Sequence, residues 1–195
     1  MAGRRKKDYY DIPENVETYC RMAEGYSGSN LVRVLKRHLL PEADVLEIGM
    51  GPGTDLDQLK RHFKVVGSDR SQVFLDRYRK KHPDQKLLRL EAMSLRTRKH
   101  FDAIYSNKVL HHLTDRQLAR SFERQYDILR PEGLALHSFW YGEGEYFEND
   151  LRVVLRTEND VIQMVAEIFD VVEIGRYKEI TRNDSFFVLL QRLSD

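Results

Sequence analysis

One stretch constrains this chain more than any other: Val45-Leu46-Glu47-Ile48-Gly49-Met50-Gly51-Pro52-Gly53-Thr54. An apolar run of strand length passes directly into three glycines spaced two apart. A polar sequence that suits a helix follows. Glycines are wanted where a strand turns sharply into a helix and the backbone must approach a ligand closely. The stretch therefore predicts a β-turn-α unit with a binding surface at the turn.

The rest of the chain repeats that unit. Apolar runs at 44–48, 64–68, 87–91, 101–106 and 133–140 predict strands, with helices between them at 54–61, 72–81 and 116–129. Val161, Met164, Val165 and Ile168 form a further apolar helix face. Alternating strands and helices imply a parallel sheet with right-handed crossovers. The last two runs, 171–180 and 185–193, are joined by a turn through Arg182-Asn183-Asp184, so they must pair antiparallel. Ahead of the core, Val16, Tyr19, Cys20 and Ala23, then Leu31, Val34 and Leu35, fall at helical spacing around a turn at 25–28. The expected fold is α/β: a three-layer Rossmann-like sandwich whose seven-stranded, mostly parallel sheet ends in an antiparallel hairpin. All 195 residues suit one domain.

Charge and cysteine content narrow the function classes. Lysine and arginine number 32 and aspartate and glutamate 31, which leaves no basic excess for nucleic acid. The one basic run, Arg4-Arg5-Lys6-Lys7, reads as a solvated tail. A single cysteine, Cys20, excludes an internal disulfide and a cysteine metal cluster, and no metal site is expected. No apolar run reaches the ~18 residues of a membrane span, and no signal-like stretch opens the chain. The expectation is a cytoplasmic protein.

Two ligand classes suit the glycine turn. A dinucleotide fingerprint is Gly-x-Gly-x-x-Gly, whereas this sequence runs Gly-x-Gly-x-Gly, with Thr54 at the place of the last fingerprint glycine. Glu47, two residues before Gly49, would repel a pyrophosphate but favour a ligand ammonium. An amino acid carries both an ammonium and a carboxylate, as the methionine part of S-adenosylmethionine (SAM) does. Asp69 ends the second strand twenty residues after Gly49, where a carboxylate can accept both hydroxyls of a ribose.

These residues resemble the class I SAM-dependent methyltransferases of the small-molecule type. Glu47-x-Gly49-x-Gly51-x-Gly53 resembles that family's first motif, and Asp69 its second. Glu91-Ala92 stands where the family often has Asp-Ala at the adenine. The run from Phe101 through Asn107 to His111-His112-Leu113 resembles its fourth strand and following loop. Leu129-Arg130-Pro131-Glu132-Gly133-Leu134 resembles the turn into the fifth. The resemblance implies SAM as cofactor and S-adenosylhomocysteine (SAH) as product. It places Glu47, Gly49, Gly51 and Gly53 at the methionine portion, Asp69 at the ribose, and Glu91, Ala92 and Asn107 around the adenine, with Arg70 also a cofactor-binding residue. It also implies a helical lid over 1–40 on a core of 43–195.

The methyl acceptor is expected at the loops after the fourth and fifth strands. A sulfonium methyl is electrophilic, so alignment and water exclusion matter most, and a base is needed only for a protonated acceptor. His111 and His112 are the candidate bases, His111 ahead of His112. Lys108 reads as a solvated side chain. Tyr26, His111, Trp140 and Tyr141 are the candidate acceptor-binding residues. Glu143, Glu145 and Glu148 among the aromatics of 140–147 favour an uncharged or amine-bearing small molecule over a phosphate polymer. Two rival readings are a SAM-binding regulator or subunit without chemistry, and a nicotinamide-dependent oxidoreductase. Neither the acceptor nor the oligomeric state is legible.

Overall fold

A computed structural model describes residues 8–194; the basic run Arg4-Arg5-Lys6-Lys7 lies outside the described residues. Valine- and isoleucine-rich runs form the inner strands because both of their faces are covered. In β1 (Asp44–Ile48), Leu46 and Ile48 pack on one side of the sheet and Val45 on the other. The main sheet holds β2 (Lys64–Asp69), β3 (Leu87–Arg89), β4 (Phe101–Asn107), β5 (Leu129–Trp140), β8 (Phe169–Tyr177) and β9 (Ser185–Arg192) beside β1, in the order β3-β2-β1-β4-β5-β9-β8. The pairs from β3 to β5 are parallel, while β9 runs antiparallel to both β5 and β8. This is the seven-stranded sandwich expected from the sequence.

Helices cover both faces. α2 (Ser29–His38), α3 (Thr54–Leu59) and α4 (Gln72–Lys81) contribute Leu35, Leu56 and Leu75 to one core. α5 (Asp115–Ile128) and α6 (Glu158–Val165) contribute Phe122 and Val161 to the other. Thr114 caps α5 in a capping box with Gln117, and Thr157 caps α6 in one with Asp160, so both helices start where their sequence dictates. The N-terminal part is a short 3-10 turn (Tyr9–Asp11) and α1 (Pro13–Met22), which begins at a proline.

One element differs from the sequence expectation. The segment after Trp140 is not an open acidic loop. β6 (Glu145–Glu148) pairs with β7 (Leu151–Val154) in a separate two-stranded hairpin. Asn149 and Asp150 make its turn with φ of 50° and 62°, the double left-handed geometry that a two-residue hairpin demands.

Candidate active site

The carboxyl ends of β1, β2, β4 and β5 share one rim, and two adjoining chambers open there. The first, of about 330 Å³, is lined by Tyr19, Tyr26, Glu47, Asn107, Trp140 and Glu179 among others. The second, of about 250 Å³, is lined by Tyr10, Asp69, Arg70, Glu91, Ala92 and His112 among others. Tyr19, Gly49, Gly51 and Lys108 line both, so the chambers meet at the glycine turn. Gly51 has φ +48°, and a Cβ there would meet nothing nearer than Tyr19 Cε1 at 3.8 Å: its bare backbone faces the cavity. Gly49, at φ +68°, has no such room, because a Cβ would lie 2.5 Å from Val109.

Carboxylates crowd around the turn. Glu47 is buried, and its Oε2 has no hydrogen-bond partner. Burial, reinforced by the charges of Asp55, Asp69 and Asp57, holds its pKa well above the usual range. A carboxyl in that state offers a site to a cation that can restore its charge. Asp69 accepts Gly51 N–H at 3.0 Å and Ser71 N–H at 2.8 Å, which fixes its carboxylate against the turn. Those two bonds leave lone pairs for further donors. Burial raises its pKa too, opposed by the Ser71 and Gly51 amides. Asp55 is committed elsewhere: it accepts Gly28 N–H (2.6 Å), Tyr105 O–H (2.7 Å) and Asn107 Nδ2–H (3.0 Å).

Segment 8–28 lies over both chambers and is fastened at its two ends. Asp8 pairs with Arg70, and Ser71 Oγ–H donates to the Tyr10 carbonyl at 2.6 Å. At the other end Gly28 is tied to Asp55. Between them Tyr10, Tyr19 and Phe74 pack with ring centroids 5.3–5.8 Å apart.

Several sequence-predicted residues are placed otherwise than expected. Asn107 lies in the first chamber, apart from Glu91 and Ala92. β4 is three strands from β3 in the sheet, and its amide is taken by Asp55 and by Ser138 Oγ–H at 2.6 Å. His111 lines neither chamber: it is buried behind His112, its Nδ1 has no partner, and burial pulls its pKa well down. His112 does reach the second chamber, with Nδ1 2.6 Å from the Arg152 carbonyl, so that nitrogen carries the proton and Nε2 is the free acceptor. Tyr141 turns away under the Arg176 guanidinium, 3.6 Å from its ring. Glu143 and Glu145 face a separate surface pocket with Asp115 and Arg156, and Glu145 is paired with Arg152.

Lys108 is not solvated. At φ +54° its side chain folds inward, and Nζ donates to the Phe139 carbonyl and to Ser185 Oγ, each at 2.7 Å. The same Nζ lies 3.8 Å from the centre of the Trp140 ring. Burial lowers its pKa to about 7, against the attraction of Glu179 and Asp184. Of the first chamber's charged residues, Asp55 and Glu179 lie outside every motif, and Lys108 lies inside the run around β4 with no site role expected of it. Asp55 directly follows the glycine turn and could have been sought there. Glu179 sits in a connection with no local signal.

Comparison with known proteins bears on the same region. Residues 45–133 match a family described as a methyltransferase domain. No curated protein matches the chain by sequence. Among solved structures, the N-methyltransferase NodS from Bradyrhizobium japonicum, in complex with SAH, superposes with a TM-score of 0.74 at 14% identity, covering 96% of this chain and 100% of that one. The 1,6-didemethyltoxoflavin-N1-methyltransferase of Burkholderia thailandensis, with its namesake compound and SAH bound, gives a TM-score of 0.74 at 17% identity, covering 100% and 94%. The glycopeptide N-methyltransferase MtfA complexed with SAH gives 0.72 at 16%, covering 94% and 99%.

Proposed function

We propose that this chain, a class I methyltransferase in its fold and in the methyltransferase domain of residues 45–133, transfers the methyl group of SAM to a small-molecule acceptor by in-line displacement. The observation that carries the reading is the partnerless Glu47 carboxyl at the glycine turn between the chambers. Its place beside Asp55, Asp57 and Asp69 makes this corner electronegative, which suits a ligand with ammonium and sulfonium charges. SAM, when bound, supplies an electrophilic methyl group. Glu47 holds the ammonium, Gly49 and Gly51 admit the methionine portion, and Asp69 accepts the ribose hydroxyls. Glu91 and Ala92 border the base in the second chamber. Arg70 keeps the lid fastened through Asp8, and Tyr10 and Tyr19 exclude water from above.

The acceptor then occupies the first chamber, between Tyr26, Trp140, Glu179 and Ile180. Its size favours a small molecule, as does the 1,6-didemethyltoxoflavin bound in the similar Burkholderia structure. Isothermal titration with SAM and SAH tests the reading. Both are expected to bind at micromolar concentration and NAD is not; absence of SAM and SAH binding at millimolar concentration overturns it. Release of SAH over a broad acceptor panel separates an enzyme from a SAM-binding protein without turnover.

A further inference from the structure

The acceptor chamber contains three carboxylates and one ammonium, and their existing commitments differ. Asp55 is saturated by Gly28, Tyr105 and Asn107. Glu47 lies at the glycine turn, where the proposed function commits it to the cofactor's ammonium. Lys108 is less well placed as a base, although burial brings its pKa to about 7: two of its N–H bonds go to Phe139 and Ser185, and the remaining position faces the Trp140 ring rather than the open chamber. His112 faces the other chamber. That leaves Glu179.

Glu179 stands in the connection between β8 and β9, and that connection is rigidly built. The Asp184 carboxylate accepts the backbone N–H groups of Glu179, Ile180 and Thr181 at 2.7–2.8 Å, and Ser185 O–H at 3.0 Å. These bonds hold Asp184 well below the usual carboxylate range, so the clamp stays charged. Glu179 and Ile180 are thereby presented to the chamber beside Trp140. The Trp140 ring is half-buried, with Lys108 beneath it.

We propose that Glu179 receives the acceptor and takes its proton, and that the acceptor is an amine on a flat apolar body that lies against Trp140. The inference rests on the methyl-transfer reading above. The acceptor nitrogen uses its lone pair to form the N–C bond as the C–S bond breaks, and the electrons of that bond return to sulfur, leaving neutral SAH. The nitrogen's surplus proton passes to the Glu179 carboxylate and then to water. No other reactant is required. Burial lifts the Glu179 carboxyl above its ordinary value, which strengthens it as a base. The groups that face it are Lys108 at the end of β4, Tyr177 on β8, Asp184 below the connection and Asp55 on α3.

The test uses the intact protein with benzylamine and aniline as amine probes, and benzoate and phenol as oxygen probes. Thermal shift of the SAH-bound protein reads probe binding, and SAH release from SAM reads turnover. The amines are expected to raise the melting temperature of the SAH complex and to be methylated. Glu179→Gln should cut turnover about 10²- to 10⁴-fold, in the range of a general base, and should remove the limb of the pH–rate profile that belongs to it. Glu179→Asp should restore part of both. SAH affinity should change less than twofold in either variant.

Unchanged turnover and pH profile in Glu179→Gln, loss of that limb in His112→Gln instead, or methylation confined to benzoate and phenol would each overturn the proposal. So would binding of SAH without methylation of either amine. Failure of SAH to bind the wild type is a separate result, and strikes the methyl-transfer reading itself.

Discussion

A carboxyl group at a strand end is normally ionised and exposed; Glu47 is buried, with no protein donor for Oε2. Its raised pKa means that the folded chain binds a proton here more tightly than the unfolded chain does. The group therefore subtracts stability as pH rises above the ordinary carboxylate range. Glu47→Gln keeps the shape and removes that penalty. The free variant is expected to melt higher at pH 7 by a few degrees, since ~1 kcal/mol is worth about 2–4 °C in a chain of this size. The same variant should bind SAH roughly 10- to 150-fold more weakly, equivalent to about 1.5–3 kcal/mol for a hydrogen bond to a charged group. Calorimetry and thermal denaturation read the two effects. Equal SAH affinity would remove Glu47 from the ammonium, and a lower melting point would show its carboxyl to be satisfied already. Residues of this kind were legible in the sequence because a fixed spacing binds Glu47 and Asp69 to the glycine turn. Glu179 was not: it has no spacing to any motif, and only the return of β8 beside β9 brings it to the rim.

Elements were read well where hydrophobic periodicity was long. β1 and α4 run over the residues their patterns predicted, whereas α3 stops at Leu59, short of 61. The β6–β7 hairpin has no clear periodic signal in the sequence because β6 is exposed throughout and only Val153 of β7 is buried, so burial imposes no clear alternation. Its signal was the pair Asn149-Asp150 between Tyr146-Phe147 and Val153-Val154, a turn that tolerates two positive φ values. The histidines were misjudged for a related reason: adjacent residues in a 3-10 turn point in different directions, so only His112 reaches a chamber. Under the proposed function, segment 8–28 over the chambers is where ligand binding should register most strongly. At SAH concentrations near 100 times the dissociation constant, amide exchange over Tyr9–Met22 should slow about 100-fold where opening abolishes binding. Hydrogen-exchange mass spectrometry measures it, with β4 as the unaffected reference. No change in the lid would mean that the ligand enters without it moving.

Across the whole molecule, buried polar groups set the response to acid. His137 is fully buried between Ser106 Oγ and Gln125 Oε1, each 2.8 Å from a ring nitrogen. The amide oxygen requires a proton on Nε2, so the hydroxyl donates to Nδ1. Gln125 passes the chain on to Ser121, which bonds the Ala92 carbonyl at the second chamber. Burial pulls the pKa of His137 down to about 3. The unfolded chain then binds more protons than the folded one between pH 3 and about 6.5, and stability falls as pH drops through that window. From pH 7 to pH 5 the loss from this group alone is about 2 kcal/mol. Urea denaturation in the Glu47→Gln background, which removes one opposing carboxyl, should show a loss of that order, to which the lowered His111 and His112 add and which the raised Asp69 and Glu179 oppose. A flat profile over this interval would mean that His137 is protonated at no cost.

The sheet changes direction at β9, which runs antiparallel to both β5 and β8, and that strand divides the labour of the chain by position. Among the described residues, the lining of the second chamber ends at Gln117. The outer wall of the first comes from Trp140, Glu179 and Ile180, far later in the sequence. Under the proposed function the outer acceptor wall and the second chamber therefore draw on different stretches of the chain, while Tyr19, Gly49, Gly51 and Lys108 serve both. If the acceptor binds as proposed, a change of acceptor would draw on residues 179–180, on a connection whose shape Asp184 maintains through main-chain bonds, indifferent to the side chains it presents. Such an arrangement lets selection revise what is methylated while the machinery that holds the methyl donor is inherited unaltered.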